Sequence, residues 1–179
     1  MMSGFKPSYL IRWVLLIGLS IALGGCFEEQ KTSVDYQGAN HTGISAIDVT
    51  INGAGGIMNV RKHGYGGNVC CVNVPQTWRS DLTVTIGWQD EGKWLLDEKG
   101  NVVKRGGGDV LIPSPRKFKT VTVPKYDTPE TLWIHFFPND EIKVVMSKYA
   151  PWNPKHGLPD PEQPEIERRE KAQQKISTP

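Results

Sequence analysis

No apolar run in these 179 residues reaches the roughly 20 positions that a helix needs to cross a bilayer. Six glycines lie between Gly53 and Gly67, yet no G-x-x-x-x-G-K-[ST] follows them, so they are read as tight turns rather than a phosphate-cradling loop. Neither G-x-S-x-G nor H-E-x-x-H occurs, and no stretch gathers Asp, Glu and His compactly. Cysteine is scarce: Cys26, Cys70 and Cys71 lack C-x₂₋₄-C spacing, and His41, His63, His135 and His156 stand far apart in sequence. The chain is therefore read as a binding protein rather than an enzyme, with no catalytic residues, metal or cofactor expected.

The first 26 residues are specific. Lys6 and Arg12 precede an apolar run from Trp13 to Leu23, which has the order of a bacterial export signal. Leu23, Gly24, Gly25 and Cys26 resemble the lipobox of bacterial lipoproteins. That resemblance implies removal of residues 1–25 and lipid attachment at Cys26, whose several acyl chains would make a stable anchor. Phe27 stands where an aspartate would hold an enterobacterial lipoprotein at the inner membrane, so an outer-membrane position facing the periplasm is expected. Removing the two basic residues of the signal leaves 19 Lys plus Arg against 19 Asp plus Glu. A neutral chain in that compartment gives no reason to expect nucleic acid.

Period-two hydrophobicity dominates the middle. Leu82, Val84, Ile86 and Trp88 alternate with smaller or polar residues, as do Ile47, Val49 and Ile51. Further strands are predicted at 93–97, 117–123, 131–137 and 142–147, the last two joined through Pro138 to Glu141. Strand 131–137 is apolar on both faces, which predicts a central strand covered on both sides. The expected fold is mainly β: an antiparallel sandwich or partly closed barrel over residues 44–149. Residues 26–43 read as a lipidated polar tether. Residues 150–179 read as a Pro-rich and charged tail, extended first and then a solvated helix.

The segment "VCCVNV" reads as a strand, so Cys70 is expected on the face of Val72 and Val74 and Cys71 on the other. Separately packed thiols, a vicinal disulfide and a metal or redox pair are the open readings. Alternation and the 3.8 Å spacing of trans neighbours favour the first. Between residues 104 and 125, Lys104, Arg105, Arg116, Lys117, Lys119 and Lys125 face a single acid, Asp109. Lys104, Arg105, Arg116 and Lys117 are the candidate partner-binding residues, and "RGGGDVLIPSPRK" reads as a mobile loop among them.

The combination "NHT", "INGAGG", "GGNVCCVNVPQTWRSDLTVTIGW", "VTVPKY" and "LWIHFFPNDEIKVVMS" resembles an uncharacterised family of proteobacterial lipoproteins with a signature matched here by Cys70, Cys71, Pro75 and Trp78. The resemblance spans about residues 40–149. Genes of that family often lie beside type VI secretion effectors, particularly phospholipase toxins, and the proteins are similar to immunity lipoproteins. It implies a lipid-anchored domain that binds and neutralises a secreted toxin, and it supplies no catalytic residues. The alternative is an envelope accessory or structural lipoprotein that binds glycan or another envelope component through exposed tryptophans such as Trp78, Trp88, Trp94 or Trp152.

Overall fold

Strand β12, Leu132–Phe137, organises the molecule because both of its faces are apolar. In the computed structural model, which describes residues 29–164, 166 and 167, Leu132, Ile134 and Phe136 enter the core while Trp133 and His135 are buried on the opposite face. The segment read as a signal, Cys26 and most of the final charged segment lie outside the described residues. β12 pairs on one side with β13, Glu141–Met146, through the short connection predicted from sequence. On the other side it pairs with β1, Lys31–Asn40, and this pairing is parallel. Further along, β1 meets β5, Val69–Pro75, and β4, Gly64–Tyr65.

The second sheet runs β11–β6–β2–β3, with β11 at Arg116–Thr122, β6 at Thr83–Asp90, β2 at Ala46–Ile51 and β3 at Ala54–Val60. All its pairings are antiparallel. The two sheets face one another without closing into a barrel. Between them lie Val34, Tyr36, Val49, Ile51, Val84, Ile86 and Trp88 together with the inner face of β12. Such side chains stabilise by roughly 1.5–3 kcal/mol each on full burial.

Three sequence expectations are corrected. Residues 31–40 are a central strand rather than a tether, because Val34, Tyr36, Ala39 and Asn40 are buried. The strand hides its period behind small residues: a Cβ on Gly38 would overlap Val60, so the neighbouring strand supplies the bulk. In β2 the buried set is Ala46, Val49 and Ile51 rather than Ile47, Val49 and Ile51. Asp48, at φ 52°, shifts the pairing register and turns the preceding residues over by one position. Residues 150–161 do not run free. Pro151, His156 and Pro161 are buried as this segment crosses the outer face of β12. There Trp133 meets the ring of His156 edge-on at 5.3 Å, and Tyr65 donates its hydroxyl proton to Asp160.

Candidate functional site

Two features gather at the end of the sandwich where β1 finishes: a cleft backed by histidines, and a ribbon inserted between β6 and β11. The cleft, about 390 Å³, is formed by the 40–46 connection, the end of β6 and the β12–β13 turn. Trp88, Phe136 and Phe137 contribute aromatic surface, and His41, Asp90 and Asp140 contribute polar atoms.

Behind the cleft runs a chain of imidazoles. His41 Nε2 lies 2.9 Å from His135 Nδ1, His135 Nε2 lies 2.9 Å from His156 Nε2, and His156 Nδ1 lies 2.6 Å from the Tyr149 carbonyl oxygen. A carbonyl only accepts, so His156 Nδ1 must donate. With all three rings neutral, His156 Nε2 then accepts from His135 Nε2–H, and His135 Nδ1 accepts from His41 Nε2–H. The direction of every bond follows from that one carbonyl. Burial keeps the rings neutral: it lowers His41 to about 4, with Asp160 pulling the other way, and lowers His135 to about 3, assisted by the neighbouring His156 and His41. His156 is lowered as well, again by burial.

Lys117 was expected on a free basic patch. Its Nζ sits 2.8 Å from Asp90 and 2.7 Å from Asp140 instead, bridging the two carboxylates of the cleft. Burial opposes its charge most, but the bonds to Asp140 and Asp90 together outweigh it and raise its pKa. Arg116 donates to the Asp48 carbonyl and to Thr50 Oγ1, across the surface of the second sheet. Lys104 and Arg105 lie apart from both, at the tip of the ribbon.

The ribbon occupies residues 91–115, none of which is buried. It contains β7, Lys93–Trp94, β8, Lys104–Arg105, β9, Gly108–Asp109, and β10, Leu111–Ile112. The stretch read as a mobile loop is thus largely hydrogen-bonded: Leu95 and Val103 each donate a ladder bond, to Val110 and Leu95, and Gly106–Gly107 turn the tip with positive φ. Trp94 opposes Leu111, and Leu96 opposes Val102. By alternation these four share one face, and each is more than a third exposed. Trp94, Leu96 and Leu111 line an open groove of about 920 Å³ against Ile47, Gln89 and Pro113. The acids of that groove, Asp48, Asp90 and Glu91, outnumber Lys93, while the tip carries the basic pair.

Cys70 and Cys71 form a disulfide with one another, which corrects the expectation of separate thiols. The alternation argument assumed a trans peptide. The bond between them is cis, their Cα atoms are 3.1 Å apart, and Cys70 is exposed rather than packed with Val72 and Val74. Asp35 lies beside the pair, 3.7 Å from Cys71 Sγ, and a disulfide sulfur has no proton to donate to it. The other signature residues brace the fold. The Pro75 carbonyl accepts from Tyr126 at 2.6 Å, and Trp78 Nε1 donates to Val123 at 2.9 Å.

The sequence reading missed the histidine chain. Its one local signal was His135 inside an otherwise apolar strand. It also missed the ribbon's apolar face, although Trp94, Leu96 and Leu111 were visible as large side chains in a turn-rich stretch.

Together these features define a two-sheet β-domain with an exposed insertion and a polar cleft at one pole. The chain belongs to the family described as "Protein of unknown function (DUF3304)", which matches residues 39–144 and so covers the second sheet, the ribbon and the first sheet apart from most of β1 and the end of β13. No curated protein and no solved structure matches the chain. Among the described residues no helix is long and apolar enough to cross a membrane.

Proposed function

We propose that this protein is a lipid-anchored immunity protein of the outer membrane, facing the periplasm, which binds and neutralises a secreted toxin, a phospholipase effector delivered by type VI secretion. The observation that carries the reading is the ribbon, whose residues contribute nothing to the core while Trp94, Leu96, Val102 and Leu111 stand exposed together. Selection for stability alone would not maintain such a face, since exposed apolar clusters invite association. Its anatomy matches a protein-binding surface, with a tryptophan anchor, aliphatic neighbours and charged residues at the edge. The resemblance of Leu23–Cys26 to a lipobox supports the compartment in this reading, and the family resemblance supports the class of partner.

The test is a competition between a toxin-armed parent and siblings that carry Trp94→Ala with Leu111→Ala. Because neither side chain is buried, the doubly substituted protein should keep its stability within about 1 kcal/mol. It should lose protection, and the purified pair should bind the neighbouring toxin at least about 100-fold more weakly. Full protection by the variant would refute the ribbon as the docking face. Equal survival of a deletion strain facing a delivered toxin would refute immunity altogether. The envelope-accessory reading is favoured by one observation, that Trp94 and Trp152 are 53% and 68% exposed. It requires peptidoglycan fragments to bind in place of the toxin.

A further inference from the structure

The cleft at the end of β1 has its own chemistry, separate from the ribbon. Its polar side chains divide into those already committed and those left open. Asn40 Nδ2 donates to the Ile44 and Val60 carbonyls, and its Oδ1 accepts from Thr42 N and Oγ1. Both groups are spent inside the fold. Asp90 and Asp140 each give one oxygen to Lys117, through Oδ2 and Oδ1, and among the described residues Asp90 Oδ1 and Asp140 Oδ2 are left open. Two carboxylates around one ammonium leave a net single negative charge.

His41 completes the set. Its Nε2–H is directed at His135, so in the neutral ring Nδ1 carries a lone pair. Among the described residues Nδ1 has no hydrogen-bond partner, and no buried side-chain nitrogen or oxygen lacks one, so Nδ1 is open to solvent in a residue that lines the cleft. The chain to the Tyr149 carbonyl locks this tautomer, because reversing any bond would leave two protons or two lone pairs face to face. His63 and Asn139 are exposed members of the lining and can act either way. The open positions that Asp90, Asp140 and His41 hold are therefore acceptors, and they stand among Trp88, Phe136 and Phe137, which supply apolar walls; Lys117 and Lys143 already lie over the rings of Trp88 and Phe137, at 5.9 and 5.1 Å from their centroids.

We propose that the cleft binds a primary ammonium or guanidinium group, with His41 Nδ1, Asp90 and Asp140 accepting its N–H bonds. An anion would meet net negative charge, with the one ammonium at the site, Lys117, already shared between two carboxylates. A polyol could fill the space but would leave the charge unmatched. Because burial holds His41 neutral, it meets a cation without repulsion and without losing a proton first. It acts as an acceptor and not as a proton-abstracting base. The group could arrive on a free polyamine or on a Lys or Arg side chain of a partner protein.

The experiment is an NMR titration of the detergent-solubilised full chain with putrescine, with ethylguanidinium and with a blocked Gly-Lys-Gly peptide, using sorbitol and acetate as controls. The amides of residues 40–44, Phe137, Asn139 and Asp140 should shift with the cationic probes and stay still with the controls. Asp140 is exposed, so Asp140→Asn should fold normally and weaken binding about tenfold or more through loss of a charge-assisted bond. His41→Phe should do the same. Imidazole nitrogen spectra should show His41 unprotonated at Nδ1 and protonated at Nε2. Binding by putrescine but not by the peptide would identify a free polyamine as the source; comparable binding of both would identify the terminal group itself and favour a protein side chain. No shift with any cationic probe, an equal response to sorbitol, or a proton on His41 Nδ1 would overturn the proposal.

Discussion

Mild acid should unlock the outer face of the first sheet, and the size of the effect follows from His135. This ring is fully buried, bonded to two other histidines and held neutral until about pH 3, whereas the same residue in an unfolded chain titrates near its ordinary value of 6.5. The folded value is the lower one. The unfolded chain therefore binds the additional proton, and stability present above about pH 6.5 is lost progressively as pH falls toward the folded value. Well below its unfolded pKa one such group removes about 1.4 kcal/mol per pH unit, and because the slope builds up only as pH falls through 6.5, His135 alone removes about 2 kcal/mol between pH 6.5 and pH 4.5. His41 is shifted in the same direction, to about 4. Its partial exposure, with His63 and Asp160 nearby, trims its share to about 1 kcal/mol. A combined loss of about 3 kcal/mol is a large part of the roughly 5–15 kcal/mol that a domain usually has. Urea unfolding of the wild type and of His135→Phe, measured from about pH 7 to about pH 4.5, reads this directly. The variant should be weaker near neutrality, because His41 and His156 lose a partner, but its stability should fall less steeply by about 1.4 kcal/mol per unit. Parallel curves for the two proteins would refute the neutral chain.

Two further outcomes test the packing and the cysteine pair. Gly38→Ala places a methyl group against Val60 and Met58 where no space exists, and should lower stability by about 1–3 kcal/mol in the same urea assay. Alkylation of the denatured protein without reductant should leave Cys70 and Cys71 unmodified, and prior reduction should expose both to labelling, read on the peptide that holds them by mass spectrometry; labelling of either without reductant would contradict the disulfide.

Strand β6 was legible because large side chains recur at period two, and Leu82, Val84, Ile86 and Trp88 do share the buried face, while β12 was legible as a short run apolar on both faces. β1 was illegible for the opposite reason. Its inward positions after Tyr36 are small, and the volume beside them belongs to Met58 and Val60 on another strand. The register shift at Asp48 was hidden too, since Ile47, Val49 and Ile51 already alternate and nothing in that pattern marks the slip. The histidine chain joins positions 41, 135 and 156, which only the tertiary fold makes neighbours. The basic segment was legible as composition, but Lys117 depends on Asp90 and Asp140, which lie outside the segment that contains it.

If Cys26 carries the lipid proposed above, strand β1 also sets a geometry at the membrane. It begins opposite Pro75 and ends opposite Phe136, beside the cleft, while the ribbon leaves β6 at Asp90, which pairs with Ala46 at that same end. At about 3.3 Å per residue, the strand separates its two ends by about 30 Å. The chain between Cys26 and Lys31 can span at most about 18 Å. With lipid on Cys26, the Pro75 end is leashed close to the bilayer, and an upright domain holds its cleft and ribbon at arm's length on the far side. That height is several times the Debye length of about 8 Å at physiological salt. Lys104 and Arg105 would then be out of electrical reach of the headgroups beneath them, and their charge would be available to whatever approaches from the periplasm.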